Sequence, residues 1–318
     1  MVERPELSVV VPAFNEEENV DAMYRRVVTA LAERVDGIEL VYVDDGSTDA
    51  TWDRIVQLAR EDERVRGVRF ARNFGHQAAL TAGVDAARGQ AVVIIDGDLQ
   101  DPPEVIPEMV SRWREGYEVV FGQREAREGE TRFKLLTAAV FYRLLGRITN
   151  VPIPRDTGDF RLMGPRAVTA FRALPERNRF IRGLVSWIGF PQTAVQYRRQ
   201  ARTSGDTKFP VKKMVRFALD GITSFSFLPL RLATLLGFLV SLFAFLYIAI
   251  VLVLKFTGVS WSGYTSLMAS ILFLGGVQLL VIGIMGEYLA RIFDEVKQRP
   301  LYVVGDSTDG SVEVTPRP

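Results

Sequence analysis

The stretch Ala91-Val-Val-Ile-Ile-Asp-Gly-Asp-Leu-Gln-Asp-Pro-Pro-Glu104 decides the fold of this chain. Its apolar, mostly β-branched residues 92–95 predict a buried strand of the kind found in parallel sheets. Asp96 and Asp98 follow at once, and Pro102 prevents the strand from continuing. Two carboxylates this close repel each other, so the site favours a divalent cation such as Mg²⁺ or Mn²⁺, which usually accompanies substrate phosphates. For an isolated Asp-X-Asp sequence, a solvated acidic turn is the alternative.

Strand and helix patterns alternate in the preceding part of the chain. Strands are predicted at 7–11, 38–43 and 65–70, with Pro12 ending the first strand. Helical spacing begins near residue 17, covers 50–60, and resumes after residue 77 until Gly89 caps the third helix. This alternation predicts an α/β fold with a doubly wound, mainly parallel sheet. Acidic clusters follow three of the strands, so they should share the sheet edge at which such folds bind ligands.

The composition excludes several kinds of function. The 39 basic and 38 acidic residues give a net charge of +1, which argues against nucleic-acid binding as the main role. Because there is no cysteine, disulfides, zinc–thiolate sites and thiol catalysis are excluded. His76 is the only histidine and is expected to have a structural role at a helix start. Neither a Walker A sequence nor the glycine pattern of dinucleotide-binding folds occurs.

The middle of the chain combines basic and apolar residues. Residues 133–148 have the pattern of a basic amphipathic helix, which suits an anionic membrane surface or, alternatively, core packing. The segment Asp156-Thr-Gly-Asp-Phe-Arg161 is predicted to be a loop that carries two more carboxylates. Residues 198–216 include seven basic residues and one acidic residue, which suits a phosphate-binding loop or, alternatively, a solvated linker.

Two uncharged stretches predict a membrane hairpin. Residues 232–254 would form a helix of roughly 34 Å at ~1.5 Å per residue, enough to cross a bilayer, and 265–286 fit a second span. Basic residues flank the hairpin on its outer sides, and residues 1–6 lack the apolar core of a signal peptide. The positive-inside rule therefore places both termini in the cytoplasm. Glycines in the second span allow close helix packing, including between subunits of a homo-oligomer.

These patterns predict four segments. Residues 1–210 form a cytoplasmic catalytic domain, 211–228 an amphipathic juxtamembrane segment, 229–290 the two transmembrane helices, and 291–318 a cytoplasmic tail. The tail after Gly305 is polar and is expected to be disordered.

Four segments resemble the family 2 glycosyltransferases of the GT-A fold. They are Val9-Val-Val-Pro-Ala-Phe-Asn-Glu16, Val43-Asp-Asp-Gly-Ser-Thr-Asp49, Arg72-Asn-Phe-Gly-His-Gln77 and Asp96-Gly-Asp-Leu-Gln-Asp-Pro-Pro103. With the 156–161 segment and the paired spans, they look like the bacterial polyprenyl-phosphate glycosyltransferases. That branch is related to dolichol-phosphate mannose synthase and is typified by undecaprenyl-phosphate glucosyltransferases.

The resemblance implies an inverting, metal-dependent transfer of one hexose, glucose from UDP-glucose, to undecaprenyl phosphate at the inner (plasma) membrane. Asp98 and Asp159 are the implied catalytic residues, and Asp98 and Gln100 would hold Mg²⁺ or Mn²⁺. The implied nucleotide-sugar ligands are Pro12, Phe14, Glu16, Asp44, Asp45, Asp96, Arg202 and Lys208. The implied ligands of the acceptor phosphate are Arg124, Arg132, Lys134 and Thr137.

Two alternatives stay open at this level. The same chemistry could use another donor, such as GDP-mannose or a modified UDP-sugar, or the chain could be a catalytically inactive membrane scaffold. A processive polysaccharide synthase is disfavoured because Gln196-Tyr-Arg-Arg199 lacks the tryptophan that completes the Gln-X-X-Arg-Trp signature.

Overall fold

The computed structural model describes residues 4–32, 34–125, 157–177, 179–198, 228–257 and 263–310. In these ranges the strands form one eight-stranded sheet with the order β7-β5-β6-β4-β1-β2-β3-β8. The strands are β1 (Leu7–Ala13), β2 (Ile38–Asp44), β3 (Val65–Phe70), β4 (Ala91–Ile94), β5 (Val119–Arg124), β6 (Thr157–Met163), β7 (Gln192–Tyr197) and β8 (Val304–Ser307). The helices are α1 (Val20–Leu31), α2 (Thr51–Glu61), α3 (His76–Ala86), α4 (Ile106–Arg114), α5 (Pro165–Ala173), α6 (Ile181–Trp187), α7 (Leu228–Phe256) and α8 (Tyr264–Val296).

The centre of the sheet is parallel and doubly wound. Strand β1 pairs in parallel with β2 and β4, and β2 pairs in parallel with β3. Alternate residues of these strands enter two cores, one shared with α1, α2 and α4 and the other with α3, α5 and α6. The predicted fold class is therefore confirmed, and the sheet carries the carboxyl ends of β1, β2 and β4 to one edge.

Two local predictions about proline and glycine were wrong. Strand β1 runs through Pro12 to Ala13. Its pairing with β4 already ends at Val10, so on that side no ladder hydrogen bond requires the N–H group that Pro12 lacks. Gly89 does not cap α3, since the helix ends at Ala86 and Ala87 is extended. Instead, Gly89 lets two backbones approach closely, as a Cβ there would lie 2.5 Å from the Ser8 nitrogen.

The segment expected to be a carboxylate-bearing loop is a strand over its described residues. Strand β6 lies between β4 and β5 and is antiparallel to both. All seven of its residues are buried, including Asp159 and Arg161. These charges can be buried because each makes hydrogen bonds inside the domain. Since charged residues usually indicate an exposed segment, the sequence pattern did not predict the strand.

The two apolar helices α7 and α8 stand apart from the sheet. Their apolar windows, 228–251 and 266–296, are long enough to cross a bilayer and are not buried within the chain. Such extensive exposed apolar surface is characteristic of a membrane-associated segment. Helix α8 continues ten residues past the predicted span and carries Glu287, Arg291 and Glu295. A Cβ placed on Gly275, Gly276, Gly283 or Gly286 meets none of the described atoms within 4 Å, so packing of that face between subunits stays a prediction.

The tail was expected to be disordered after Gly305, and over its described residues this was wrong. Strand β8 adds an antiparallel edge to β3, and the Thr308 side chain accepts a hydrogen bond from the Gly67 N–H. Asp309 forms ion pairs with Arg66 and Arg88. The Arg177 N–H also donates to Glu295, so the end of α8 and the tail that follows it both contact the catalytic domain.

Candidate active site

Hydrogen bonds from backbone N–H groups to side-chain hydroxyls connect the loop after β1 to the loop after β2. The Asn15 N–H donates to the Ser47 hydroxyl at 2.9 Å, and the Glu16 N–H donates to the Thr51 hydroxyl at 2.9 Å. Asn15 has a φ of 54°, a left-handed conformation that asparagine tolerates better than most residues. This turn leaves Pro12 buried and the Phe14 side chain 40% exposed at the edge of the sheet.

The two aspartates that end β2 have partners inside the protein. Asp44 accepts the Ser47 N–H at 3.0 Å and lies 3.3 Å from the Arg69 guanidinium. Asp45 accepts the N–H groups of Phe74 and Gly75 and thereby holds the turn before α3. Burial raises the pKa of both carboxyls. Each aspartate therefore has a structural role, and their predicted contact with the nucleotide stays a prediction.

Asp96 and Asp98 lie directly after β4, as expected. Asp98 accepts the Gln100 N–H at 3.2 Å, which folds the loop back on itself. Asp96 Oδ1 is buried without a hydrogen-bond donor in the described part of the chain, and its nearest cation is His76 Nε2 at 3.5 Å. Burial raises the pKa of Asp96 to about 6, although His76 acts in the opposite direction.

Asp159 is the centre of a second group of charged residues. Its two oxygens accept hydrogen bonds from Arg182 at 2.9 and 3.3 Å and from the Gln77 amide at 3.4 Å. His76 Nε2 lies 3.4 Å from Asp159, so the imidazole bridges Asp159 and Asp96. The loop after β4, strand β6 and helices α3 and α6 therefore contribute side chains to a single charged cluster at the sheet edge.

The protonation states of this cluster follow from its geometry. Burial alone would raise the pKa of Asp159, but Arg182 and His76 outweigh it and hold that pKa well below the usual carboxyl range. Desolvation would lower the pKa of His76, but Asp159 and Asp96 raise it to about 9. At neutral pH the cluster thus contains an ionised Asp159 between two cations.

A third group surrounds Arg124, the described member of the predicted phosphate ligands. The guanidinium donates to the Tyr197 hydroxyl at 3.2 Å, and that hydroxyl donates to the buried Asp101 at 2.6 Å. Arg124 Nη2 also lies against Gly158, where a Cβ would approach it to 2.8 Å. Arg124 therefore lies against strand β6 at Gly158, the residue before Asp159 in the sequence.

The predicted residues that the structure describes lie at the carboxyl ends of β1, β2 and β4, in the loops that follow them, or on β5 and β6. Arg132, Lys134, Thr137, Arg202 and Lys208 lie outside the described residues. The same holds for residues 133–148, which were predicted to be helical, and for most of the juxtamembrane segment. Sequence reasoning missed the contacts of His76, Gln77, Arg182, Asp101 and Tyr197. His76 and Gln77 belong to a quoted motif, whereas Arg182 belongs to none, and only its charge within an apolar helix marks it.

Comparison with known proteins identifies the class. The family model "Glycosyl transferase family 2" matches residues 8–169, and "GtrB C-terminal hairpin" matches 228–292. The chain belongs to glycosyl transferase family 2 and is a glycosyltransferase carrying this C-terminal hairpin.

Two relatives show how far the similarity extends. The chain is 50% identical to the uncharacterized glycosyltransferase YkcC of Bacillus subtilis, over 94% of this chain and 93% of that protein. It is 45% identical to the SfII prophage-derived bactoprenol glucosyl transferase of Shigella flexneri, over 96% of this chain and 99% of that protein.

Proposed function

We propose that this protein transfers one glucose from UDP-glucose to a polyprenyl phosphate at the cytoplasmic face of the plasma membrane, with inversion at the anomeric carbon. The observation that carries the proposal is the convergence of Asp96, Asp98 and Asp159 at one sheet edge in a chain that also bears an apolar helix pair. The similarity to bactoprenol glucosyl transferases over nearly the whole length of both chains supports the acceptor and the sugar.

The residues after β4 fit a hard divalent ion. They offer carboxylate and amide oxygens, the ligands that Mg²⁺ and Mn²⁺ prefer, and Asp96 Oδ1 is a buried anion without a hydrogen-bond donor in the described ranges. Those ranges contain no group of three or more His, Cys, Asp or Glu residues that could hold an ion alone. Asp98 and Gln100 would therefore share the ion with substrate phosphates. When bound, the ion supplies positive charge to the departing diphosphate.

Asp159 suits electrostatic stabilisation better than proton transfer. A general acid must be protonated and an effective base needs a pKa near the working pH, whereas Arg182 keeps this carboxylate ionised with a depressed pKa. A lipid phosphate is already an anionic nucleophile at neutral pH, so no strong base is needed. We propose that Asp159 orients the acceptor or stabilises the positive charge that develops on the sugar.

Among the residues that the structure describes, Arg124 is our candidate for binding the acceptor phosphate. Its guanidinium donates a hydrogen bond to Tyr197 and lies against Gly158 of strand β6, the strand that also carries Asp159. Arginine offers several N–H donors in a planar fork that matches phosphate oxygens. Binding the phosphate there would bring the nucleophile close to the carboxylate that faces the sugar.

The hairpin and the tail support the proposed orientation in the membrane. Charged residues flank α7 and α8 on the side of the catalytic domain, and β8 returns the chain to the catalytic sheet. Both ends of the hairpin therefore lie on one side of the membrane, and the positive-inside rule assigns that side to the cytoplasm.

The test is a transfer assay with the full chain in nanodiscs. Purified protein, undecaprenyl phosphate and Mg²⁺ or Mn²⁺ are incubated with radiolabelled UDP-glucose, GDP-mannose or UDP-galactose, and label is extracted into the lipid phase. The expected result is lipid-linked label from UDP-glucose alone, and none when EDTA is present during the reaction. Label from another donor only would contradict the assignment of glucose, and no lipid-linked label from any donor would contradict transfer to the lipid.

A further inference from the structure

A series of four side chains of alternating charge connects helix α6 to the loop after β4. Arg182 on α6 pairs with Asp159 on β6, Asp159 pairs with His76 at the start of α3, and His76 pairs with Asp96. Asp159 is only 3% exposed, whereas 24% of the Arg182 side chain and 46% of the His76 side chain are accessible. The buried member is therefore held between two partly accessible cations.

We propose that Arg182, assisted by Gln77, is a positioning residue that fixes Asp159 and acts on glycosyl transfer through that carboxylate. The inference rests on the proposed function, since Asp159 is there the residue that faces the reacting sugar. Arg182 itself need not touch either substrate.

The hydrogen bonds explain why this pair restricts Asp159. Arg182 donates through Nε to one carboxylate oxygen and through Nη2 to the other, which fixes both the position and the rotation of the carboxylate. A lysine at this position carries the same charge but cannot present two donors in a fixed plane. Charge and geometry can therefore be separated by substitution.

Gln77 joins the helix that carries Arg182 to the helix that carries His76. Its amide nitrogen donates to Asp159, and its amide oxygen accepts the Ile181 N–H at the start of α6 at 2.9 Å. One side chain thus contacts both the start of α6 and the carboxylate. His76, the residue before Gln77, restrains Asp159 from the side of Asp96.

The experiment is a double-mutant cycle on the full chain in nanodiscs, with R182A, R182K, D159N and R182A/D159N. We expect R182A to lower kcat about 10- to 100-fold with donor KM changed less than about threefold, and R182K to recover part of the loss. If Arg182 acts through Asp159, the double variant matches D159N within about threefold rather than multiplying the two losses. R114A serves as the matched control, because Arg114 forms a bidentate pair with Glu6 away from this cluster.

A second measurement does not depend on activity. His76 is the only histidine, so labelling histidine with ¹³C and ¹⁵N gives one imidazole signal that reports on Asp159. We expect R182A and D159N to shift this signal and R114A to leave it unchanged, with thermal unfolding confirming that each variant folds.

Multiplicative losses of kcat in the double variant, or an R182A effect confined to the KM of the acceptor, would overturn the inference. An unshifted His76 signal in R182A would overturn it even in a protein without transferase activity. If wild type forms no lipid-linked sugar but R182A and D159N still shift the His76 signal, the proposed function is contradicted, whereas the restraint of Asp159 by Arg182 is supported.

Discussion

Gly158→Ala perturbs the proposed acceptor site without removing any charged group. A Cβ at this position would lie 2.8 Å from Arg124 Nη2, 3.6 Å from Arg124 Cζ and 3.8 Å from the Phe160 nitrogen. The only severe overlap is thus with the far end of a flexible side chain. The substitution should displace the guanidinium and leave strand β6 in place.

The size of the effect follows from these distances. Restoring an ordinary 3.4 Å contact requires Nη2 to move by about 0.6 Å. A charge-assisted hydrogen bond contributes about 1.5–3 kcal/mol, and misalignment of this size forfeits part of it, about 1 kcal/mol. We therefore expect the KM for polyprenyl phosphate to rise about fivefold, with the KM for the nucleotide sugar nearly unchanged. Stability should fall by less than about 1 kcal/mol.

The assay measures initial rates in nanodiscs while each substrate is varied at saturation of the other. Arg124→Ala is the reference variant, and we expect it to raise the acceptor KM more than Gly158→Ala does. The double variant should be no worse than Arg124→Ala alone, because the added methyl group acts by displacing Arg124. Equal increases in both KM values, or an unchanged acceptor KM, would refute this reasoning.

Three further predictions concern other parts of the molecule. The pKa of His76 is about 9 in the folded protein against an ordinary 6.5, so between these pH values the folded state binds more protons than the unfolded state and stability falls as the pH rises. The decrease in Tm from pH 6.5 to 9 should therefore be smaller in His76→Gln than in wild type, and an equal decrease would contradict the assignment. Asp309→Asn weakens the partly buried ion pair with Arg66 and should lower stability by about 1–2 kcal/mol. The measurement is the decrease in Tm, with Asp306→Asn on β8 as the control variant. Equal Tm values for the two variants would exclude a contribution of the ion pair. Asp98→Asn should reduce transfer at least about 100-fold with an unchanged Tm, and retained activity would exclude Asp98 as an essential ligand.

The central fold could be predicted because local patterns and tertiary structure agree there. β-Branched runs became β1, β2 and β4, and the acidic residues that follow them lie at one edge, as parallel pairing requires. The absence of charged residues over two long stretches also located both apolar helices. In the central strands the buried residues are mostly hydrophobic, so the sequence pattern contains the necessary information.

The remaining features depend on contacts between distant residues. Strand β6 contains Asp159 and Arg161, whose burial is stabilised by partners on α6 and by backbone carbonyls, so its composition resembles that of a loop. Strand β8 is four residues long and polar, and its place depends on the free edge of β3 and on Arg66. No spacing rule connects Arg182 to Asp159, because the pair exists only once α6 packs beside β6.

The most direct measurement of the central claim is the structure of the product. Lipid-linked material formed from UDP-glucose and undecaprenyl phosphate is purified, its mass is measured, and its anomeric proton is observed by NMR. We predict a single glucose on the phosphate with β configuration, inverted from the α linkage of the donor. An α-linked product would contradict in-line displacement by the lipid phosphate, and a lipid without added hexose would contradict the assignment as a polyprenyl-phosphate glucosyltransferase.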